Sequence, residues 1–274
     1  MVMNSPIKWV GGKRNIKKLL VSLLPNNYQY VEVFGGAGWV LLDKEPSKIE
    51  VLNDINSDLI NFYKVVKDKS KCDKLIEDLQ TTLKSRELFN EYDLIYQTKQ
   101  YESDIQQAKI FYYLLKLSFG GRINRNKNSF AIRNDGIKMI NYDKFMAEFL
   151  ELNERLQNVF IENADWEYIL NKYDRKDGKG IFFLDPPYLE TTEDDYNTTW
   201  NIESYVKLHS KLSNLKDRFI LTCNDKPQLR ELFKEFNIMD NQVHYSVCGT
   251  SDACKKYSEL IITNYKIEDI SKVS

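Results

Sequence analysis

The feature of this chain that most restricts its fold is an apolar run ending in an acidic, proline-stiffened corner. Ile181 to Leu184 form the run, and Asp185-Pro186-Pro187-Tyr188 follow directly. A short apolar run of this kind is typical of a strand buried on both faces, as in a parallel sheet. Open α/β sheets bind ligands beyond the carboxyl ends of their strands, so the sequence predicts a site at this corner.

The corner combines a carboxylate, a rigid backbone and an aromatic face. Its prolines fix φ and lack N–H groups, so we expect the carbonyl groups of Asp185 and Pro186 to accept hydrogen bonds from a ligand. An exocyclic amine such as N6 of adenine fits. The Asp185 carboxylate and the Pro186 carbonyl would take its two protons and aim its lone pair at an electrophile, while Tyr188 stacks on the base. The alternative is a stiff strand end with a surface Asp and Tyr.

Composition limits the class of protein without identifying it. A chain of 274 residues holds one large domain, or a domain with an insertion. The 39 basic and 40 acidic residues nearly cancel, so any nucleic-acid surface must be local. The four cysteines lack C-x-x-C spacing, which favours a reduced, cytoplasmic protein without structural zinc. The sequence predicts neither a signal peptide nor a membrane anchor.

Hydrophobic periodicity predicts an α/β sheet interrupted by helices. We predict an α/β domain over residues 1–60 and 158–274, with a helical insertion over 61–157. The last two strands are predicted to pair as an antiparallel edge of an otherwise parallel sheet. The predicted strands are Tyr30–Phe34, Ile49–Leu52, Val159–Ile161, Ile181–Leu184, Phe219–Thr222, Gln242–Val247 and Glu259–Thr263. The predicted helical faces are Ile16, Leu19, Leu20 and Leu23; Cys72, Leu75, Ile76, Leu79 and Leu83; and Phe145, Phe149, Leu152 and Leu156.

A glycine-rich turn follows the first predicted strand. Gly35-Gly36-Ala37-Gly38 lack bulky side chains, which favours close approach of the backbone to a ligand. No Lys-Ser or Lys-Thr pair follows, so a P-loop is not indicated, although the turn alone leaves a dinucleotide site open. Asp54 ends the next strand, where an acidic residue accepts hydrogen bonds from ribose hydroxyl groups. The alternative for Asp54 is to cap the following helix.

Two further segments carry candidate binding residues. Trp9-Val10-Gly11-Gly12-Lys13 combines an aromatic ring, two glycines and a cation that would suit a carboxylate on a ligand. Asp165 follows the Val159–Ile161 strand and would place an acceptor at the same edge of the sheet. Its alternative is the N-cap of a helix that starts at Trp166.

In their order along the chain, these motifs resemble the Dam-type DNA adenine-N6 methyltransferases. The resemblance extends to Asn163-Ala164-Asp165 and to Glu259-Leu260-Ile261-Ile262-Thr263-Asn264-Tyr265, so it covers essentially the whole chain. It implies a Rossmann-like methyltransferase fold and methyl transfer from S-adenosylmethionine without a covalent intermediate. It also implies that residues 1–60 and 158–274 are the catalytic domain and that 61–157 are a target-recognition insertion. It also implies that a flipped adenine is held by the catalytic residues Asp185, Pro186, Pro187 and Tyr188. The implied cofactor-binding residues are Trp9, Lys13, Phe34, Gly35, Gly36, Gly38, Asp54, Asp165 and Asp185, of which Asp165 is also a plausible adenine acceptor.

A basic segment inside the predicted insertion is the candidate for reading DNA. Residues 116–138 contain six basic residues and one acidic residue, with phenylalanines interleaved. Arginines contact phosphates or guanine edges, and an aromatic side chain can enter a vacated base stack. The alternative is a solvated basic loop anchored by its phenylalanines. The predicted DNA-binding residues are Lys116, Phe119, Arg122, Asn124, Arg125, Lys127, Phe130 and Arg133.

This segment departs from family members that read GATC. Where those carry Asn-Gly, a later Arg and Asn-Val-Pro, this chain has Gly120-Gly121, Asn124 and Ala131-Ile132-Arg133. We therefore predict an adenine target in double-stranded DNA and leave the flanking bases open. We expect a monomer of prokaryotic or phage origin, without metal. The competing hypotheses are a cytosine-N4 methyltransferase, an RNA adenine methyltransferase, and a DNA-binding module that has lost catalysis.

Overall fold

The computed structural model describes residues 2–9, 11–118, 123, 130, 142–189, 200–244 and 256–267. Strands and helices alternate at both ends of this described part, and helices alone lie between the second and third strands. The strands are β1 Gln29–Glu32, β2 Ile49–Asn53, β3 Val159–Glu162, β4 Gly180–Leu184, β5 Arg218–Asn224, β6 Asn237–His244 and β7 Lys256–Thr263. The helices are α1 Lys17–Ser22, α2 Trp39–Asp43, α3 Ser57–Lys67, α4 Lys69–Gln80, α5 Arg86–Thr98, α6 Asp104–Leu117, α7 Tyr142–Leu156, α8 Trp166–Tyr173, α9 Ile202–Leu212 and α10 Pro227–Leu232.

The strands form one seven-stranded sheet in the order β3-β2-β1-β4-β5-β7-β6. The first five strands along the chain pair in parallel, whereas β7 runs antiparallel to both β5 and β6. The predicted parallel sheet with an antiparallel edge is therefore confirmed. In this order β4 is the central strand, and β1 lies beside it as an interior strand, because Val31 pairs with Val51 of β2 on one side and with Phe182 of β4 on the other.

Both faces of the sheet are covered, which explains why β4 is apolar along its whole length. Successive residues of a strand point to opposite faces. Ile181 and Phe183 accordingly join the core under α3, α4, α6 and α7, whereas Phe182 and Leu184 join the core under α8, α9 and α10. All five residues of β4 are buried.

The helices between β2 and β3 share their apolar core with one face of the sheet. Phe145, Phe149, Leu152 and Leu156 of α7 are all buried, as predicted. The predicted boundary between residues 60 and 61 falls inside α3. The division into a catalytic domain and an insertion remains a prediction.

A buried ion cluster joins α7 to the sheet. Arg155 near the end of α7 donates to both carboxylate oxygens of Glu50 on β2, at 2.5 and 3.0 Å, and to the carbonyl oxygen of Leu41 at 2.7 Å. The Lys44 ammonium lies 2.5 Å from the same carboxylate. A buried carboxylate is tolerated when it is paired and hydrogen-bonded in this way, and removal of one partner is costly.

Several details differ from the predictions, among them the starts of β5 and β7, which begin at Arg218 and Lys256 instead of Phe219 and Glu259. Leu83 is 76 % exposed, because α4 ends at Gln80 and Leu83 lies beyond it. Leu19 is 36 % exposed, at the edge of the apolar stripe of a six-residue helix. The first strand ends at Glu32 instead of Phe34, because the chain turns into the glycine segment, and β6 begins at Asn237 instead of Gln242. None of these differences moves the predicted site.

Candidate active site

The predicted motifs meet at one edge of the sheet. The glycine turn follows β1, Asp54 follows β2, Asp165 follows β3 and the Asp185–Tyr188 corner follows β4. These four strands are parallel neighbours, so their carboxyl ends lie side by side. Segments more than a hundred residues apart in sequence therefore form one surface.

The Asp185 carboxyl group is held by two side chains. The Lys13 ammonium lies 2.7 Å from its Oδ1 atom, and the Thr222 hydroxyl on β5 donates to the same oxygen at 2.7 Å. Burial raises the pKa of Asp185 above its ordinary value, while Lys13 and Thr222 act in the opposite direction. The carboxylate thus has a defined orientation in a largely dry environment.

Lys13 is itself an internal residue, being only 3 % exposed. Its ammonium also donates to the carbonyl oxygen of Gly11 at 2.8 Å and lies 4.9 Å from the centre of the Tyr188 ring. We predicted this cation as the partner of a carboxylate on a ligand. The structure places it against the chain's own Asp185, and its contact with a methyl donor remains a prediction.

Hydrogen bonds to α9 and β7 hold the remainder of the corner. Pro186 and Pro187 are buried, and the carbonyl oxygen of Pro187 accepts from the Tyr205 hydroxyl of α9 at 3.1 Å. The Tyr188 hydroxyl donates to Oε1 of Glu259 on β7 at 2.5 Å. The proline rings make the corner rigid, and the hydrogen bonds of Pro187 and Tyr188 anchor it to α9 and β7.

The glycine turn packs closely against the chain itself. Gly36 has φ +48°, and a Cβ atom there would lie 2.7 Å from Cδ1 of Trp9. A Cβ atom on Gly35 would lie 2.6 Å from Cδ1 of Leu52. These two glycines are required by contacts within the protein, a reason that the sequence did not reveal. Gly38 has φ +65° and precedes the first residue of α2.

Asp54 holds the glycine turn in place. Its Oδ2 atom accepts from the backbone N–H of Gly36 and its Oδ1 atom from that of Asn56, both at 2.8 Å. The alternative that Asp54 caps the next helix is wrong, because the side chain of Asn56 caps α3. Burial raises the pKa of Asp54. Each carboxylate oxygen retains capacity for a further donor.

Two other predicted residues lie at the rim. Asp165 is exposed and caps α8 by accepting from the backbone N–H of Glu167 at 2.8 Å, as its alternative reading predicted. A role for Asp165 in binding cofactor or adenine remains a prediction. The Phe34 ring meets the Trp200 ring edge-on, with centroids 5.5 Å apart.

Glu32, the last residue of β1, is a buried acid that the sequence reading missed. It is 2 % exposed, and its Oε2 atom accepts from the Tyr30 hydroxyl and from the backbone N–H of Leu41 in the first turn of α2, both at 2.8 Å. Burial raises its pKa to about 8, although both hydrogen bonds act in the opposite direction. The available signal was an acidic residue within an otherwise apolar strand.

Comparison with known proteins decides the family. Residues 9–247 match the D12 class N6 adenine-specific DNA methyltransferases. The chain belongs to this family. It is an adenine-specific DNA methyltransferase, and the family assignment that the motif order suggested is confirmed.

Its similarity to curated members extends over nearly the whole chain. It is 31 % identical over 278 residues to the type II methyltransferase M1.LlaDCHI of Lactococcus lactis subsp. cremoris, covering 94 % of each chain. It is 27 % identical to the DNA adenine methylase of Escherichia coli K12, covering 93 % of each. It is also 27 % identical to the DNA N-6-adenine-methyltransferase of Escherichia phage P1, covering 84 % of this chain and 31 % of that protein. These relatives come from bacteria and a phage.

Only two of the residues predicted to bind DNA lie in the described part of this methyltransferase. Lys116 donates to the carbonyl oxygen of Pro6 at 2.7 Å. Phe130 packs edge-on against Phe89, with centroids 5.2 Å apart, which is the anchoring role of the alternative reading. DNA contact by either residue remains a prediction. Outside the described residues lie Phe119, Arg122, Asn124, Arg125, Lys127 and Arg133.

The described residues of the methyltransferase contain no group of three or more His, Cys, Asp or Glu side chains that could hold a metal ion. Among those same residues, no helix combines the length and apolarity needed to cross a membrane. Cys72 and Cys223 are free thiols, and burial raises the pKa of both.

Proposed function

We propose that this methyltransferase uses S-adenosylmethionine and acts on an adenine extruded from double-stranded DNA, with the Asp185–Tyr188 corner as its catalytic group. The observation that carries this proposal is the assembly of Lys13, Asp185 and Tyr188 beside the Asp54-braced glycine turn. A duplex hides the N6 lone pair, so the base must leave the stack to react. Unstacking costs a few kcal/mol, which DNA-backbone contacts and stacking on Tyr188 would offset.

The residues around the glycine turn fit a nucleoside-containing donor. Asp54 has acceptor capacity for ribose hydroxyl groups, and Gly36 keeps its left-handed conformation beside the Trp9 ring. Trp9 and Phe34 would supply apolar surface. S-adenosylmethionine, when bound there, supplies an electrophilic methyl group. The further residues that we assign to its binding are Lys13, Gly35, Gly38, Asp165 and Asp185.

The adenine amine is assigned to Asp185 and Pro186. Lys13 and Thr222 both engage Oδ1 of Asp185, so we assign Oδ2 to one amine proton and the Pro186 carbonyl oxygen to the other. Holding both protons turns the nitrogen lone pair away from the ring and allows direct attack. Its raised pKa also suits Asp185 to accept the proton that N6 loses after transfer.

Isotope transfer tests this function directly. Purified protein is incubated with methyl-labelled S-adenosylmethionine and adenine-containing duplexes of varied sequence, and the DNA is digested to nucleosides. We expect label in N6-methyladenine and none in an RNA duplex. Label in N4-methylcytosine, label in RNA alone or the absence of transfer to DNA would refute the proposal, and the first two outcomes would support the rival methyltransferase hypotheses. A protein that binds DNA without responding to the donor in calorimetry would be the silent binding module.

Replacement of Gly36 by alanine tests the donor site. The new Cβ atom would lie 2.7 Å from Trp9 and would occupy a residue with φ +48°, so the ring and the turn must both shift. We expect donor affinity measured by calorimetry to fall about tenfold, roughly 1.4 kcal/mol.

Gly178→Ala is the matched control for this variant. Gly178 also has a left-handed φ, +68°, but a Cβ atom there would meet nothing nearer than the Lys216 carbonyl oxygen at 3.9 Å. The Gly178→Ala variant should lose about 1 kcal/mol of folding stability from backbone strain and should bind the donor normally. Equal donor affinities for the two variants would contradict the assignment of the glycine turn.

A further inference from the structure

Two residues opposite each other on neighbouring strands hold Tyr188, the last residue of the corner, and Leu189, which follows it. Asn224 of β5 pairs with Glu259 of β7. The Asn224 side chain accepts from the backbone N–H of Leu189 at 3.0 Å and donates to the Leu189 carbonyl oxygen at 2.9 Å. Glu259 accepts from the Tyr188 hydroxyl at 2.5 Å. This antiparallel strand pair therefore reaches the end of the corner with both of its facing side chains.

The Tyr188–Glu259 contact is well placed to orient the ring. Glu259 is 1 % exposed, so its side chain has little freedom and its hydrogen bond is shielded from water. The hydroxyl end of Tyr188 is thereby fixed to the sheet, while the Lys13 ammonium lies 4.9 Å from the ring centre. Glu259 holds the hydroxyl end of the Tyr188 ring and Lys13 contacts its face, so the ring presents its surface in one orientation.

We propose that Glu259 is a positioning residue for methyl transfer, acting through Tyr188 to hold its ring in the orientation that stacks the target base. The proposal rests on the function proposed above for Tyr188. Glu259 itself need not contact donor or DNA. A side chain that preorganises a binding surface increases the rate because less order remains to be imposed when the substrate arrives.

A double-mutant cycle between the two residues tests this coupling. Glu259→Met keeps a similar length and removes the acceptor, while Tyr188→Phe removes the donor and keeps the ring. We expect Glu259→Met to lower the single-turnover rate at saturating donor about tenfold, with the donor dissociation constant unchanged. In the Tyr188→Phe background the same change should cost less than about threefold, because the bond is already absent and the double variant buries an apolar pair.

The cycle separates this mechanism from two others. Glu259 also raises the pKa of Asp185 electrostatically, and that influence would persist when Tyr188 is phenylalanine. A purely structural role would likewise persist, and it would lower the thermal midpoint with the activity. Equal losses in the two backgrounds would overturn the proposal.

Two controls keep the outcome decisive. Glu259→Gln retains an acceptor oxygen and should keep the single-turnover rate within about threefold of the unmodified protein. Glu259→Leu replaces Glu259→Met if the methionine variant does not fold. Tyr188→Ala tests the underlying function: an unchanged rate there would refute the role of the ring itself. A large loss in Tyr188→Ala combined with additive effects in the cycle would refute the role of Glu259 alone.

Discussion

Replacement of Asp185 by alanine should lower methyl transfer by about 10³-fold or more while DNA affinity stays within a few fold. The half-buried carboxylate is assigned one of the two amine protons, which the methyl group of alanine cannot accept. DNA affinity depends mainly on phosphate contacts elsewhere on the surface. Single-turnover rates and a binding titration at fixed salt measure the two quantities separately.

Asp185→Asn accompanies the alanine variant because it preserves side-chain volume. Both variants leave the buried Lys13 ammonium without its carboxylate, so a moderate loss of stability is expected and is monitored by thermal unfolding. Asp177→Ala is the matched control, since Asp177 is exposed in the loop before β4, at the opposite edge of the sheet. Near-normal methylation by Asp185→Ala would show that this side chain is not catalytic, whereas Asp185→Asn keeps an acceptor oxygen and should retain more activity than the alanine variant.

The second large effect is expected in the pH dependence of stability through Glu32. A carboxyl group whose pKa is higher in the folded protein than in the unfolded chain holds its proton better when folded. Its stabilising contribution is therefore complete below the unfolded pKa, near 4.5, and is lost as pH rises through its folded pKa of about 8. Between pH 6 and pH 9 the free energy of unfolding of the unmodified protein should fall by about 2 to 3 kcal/mol through the titration of Glu32.

Glu32→Gln removes this titration while retaining an oxygen for the N–H of Leu41. Urea titrations at pH 6 and at pH 9 measure the free energy of unfolding of both proteins. Between these two pH values it should fall by about 2 to 3 kcal/mol less in Glu32→Gln than in the unmodified protein. Glu77→Gln, at an exposed position on α4, should follow the unmodified protein. Parallel curves for Glu32→Gln and the unmodified protein would show that Glu32 does not titrate in this range.

Local sequence patterns predicted most of the sheet and the edge where the site lies. The glycine turn, Asp54 and Asp185 each follow an apolar run, and the carboxyl ends of parallel strands share one edge, so the sequence predicts that these three lie close together. The antiparallel β6–β7 pair was also predicted. Leu83 was placed incorrectly because helical spacing continues beyond the residue at which α4 ends.

Contacts that depend on strand order could not be predicted in the same way. Tyr188 meets Glu259 because β7 lies between β5 and β6, an order that no local pattern specifies. Lys13 precedes the first strand, and its pairing with Asp185 follows from the path of a loop. The need for glycine at position 36 could not be predicted either, because the Trp9 ring that a Cβ atom there would meet lies 27 residues earlier in the chain.

The Arg155–Glu50 pair restricts how this protein can be re-engineered. Exchange of residues 61–157 for a segment without a basic residue at the position of Arg155 would take from Glu50, buried on β2, one of its two cationic partners. A graft intended to transfer sequence preference should therefore stop short of Arg155, or carry a basic residue at that position. Chimeras that ignore this junction should fail at folding before their specificity can be measured.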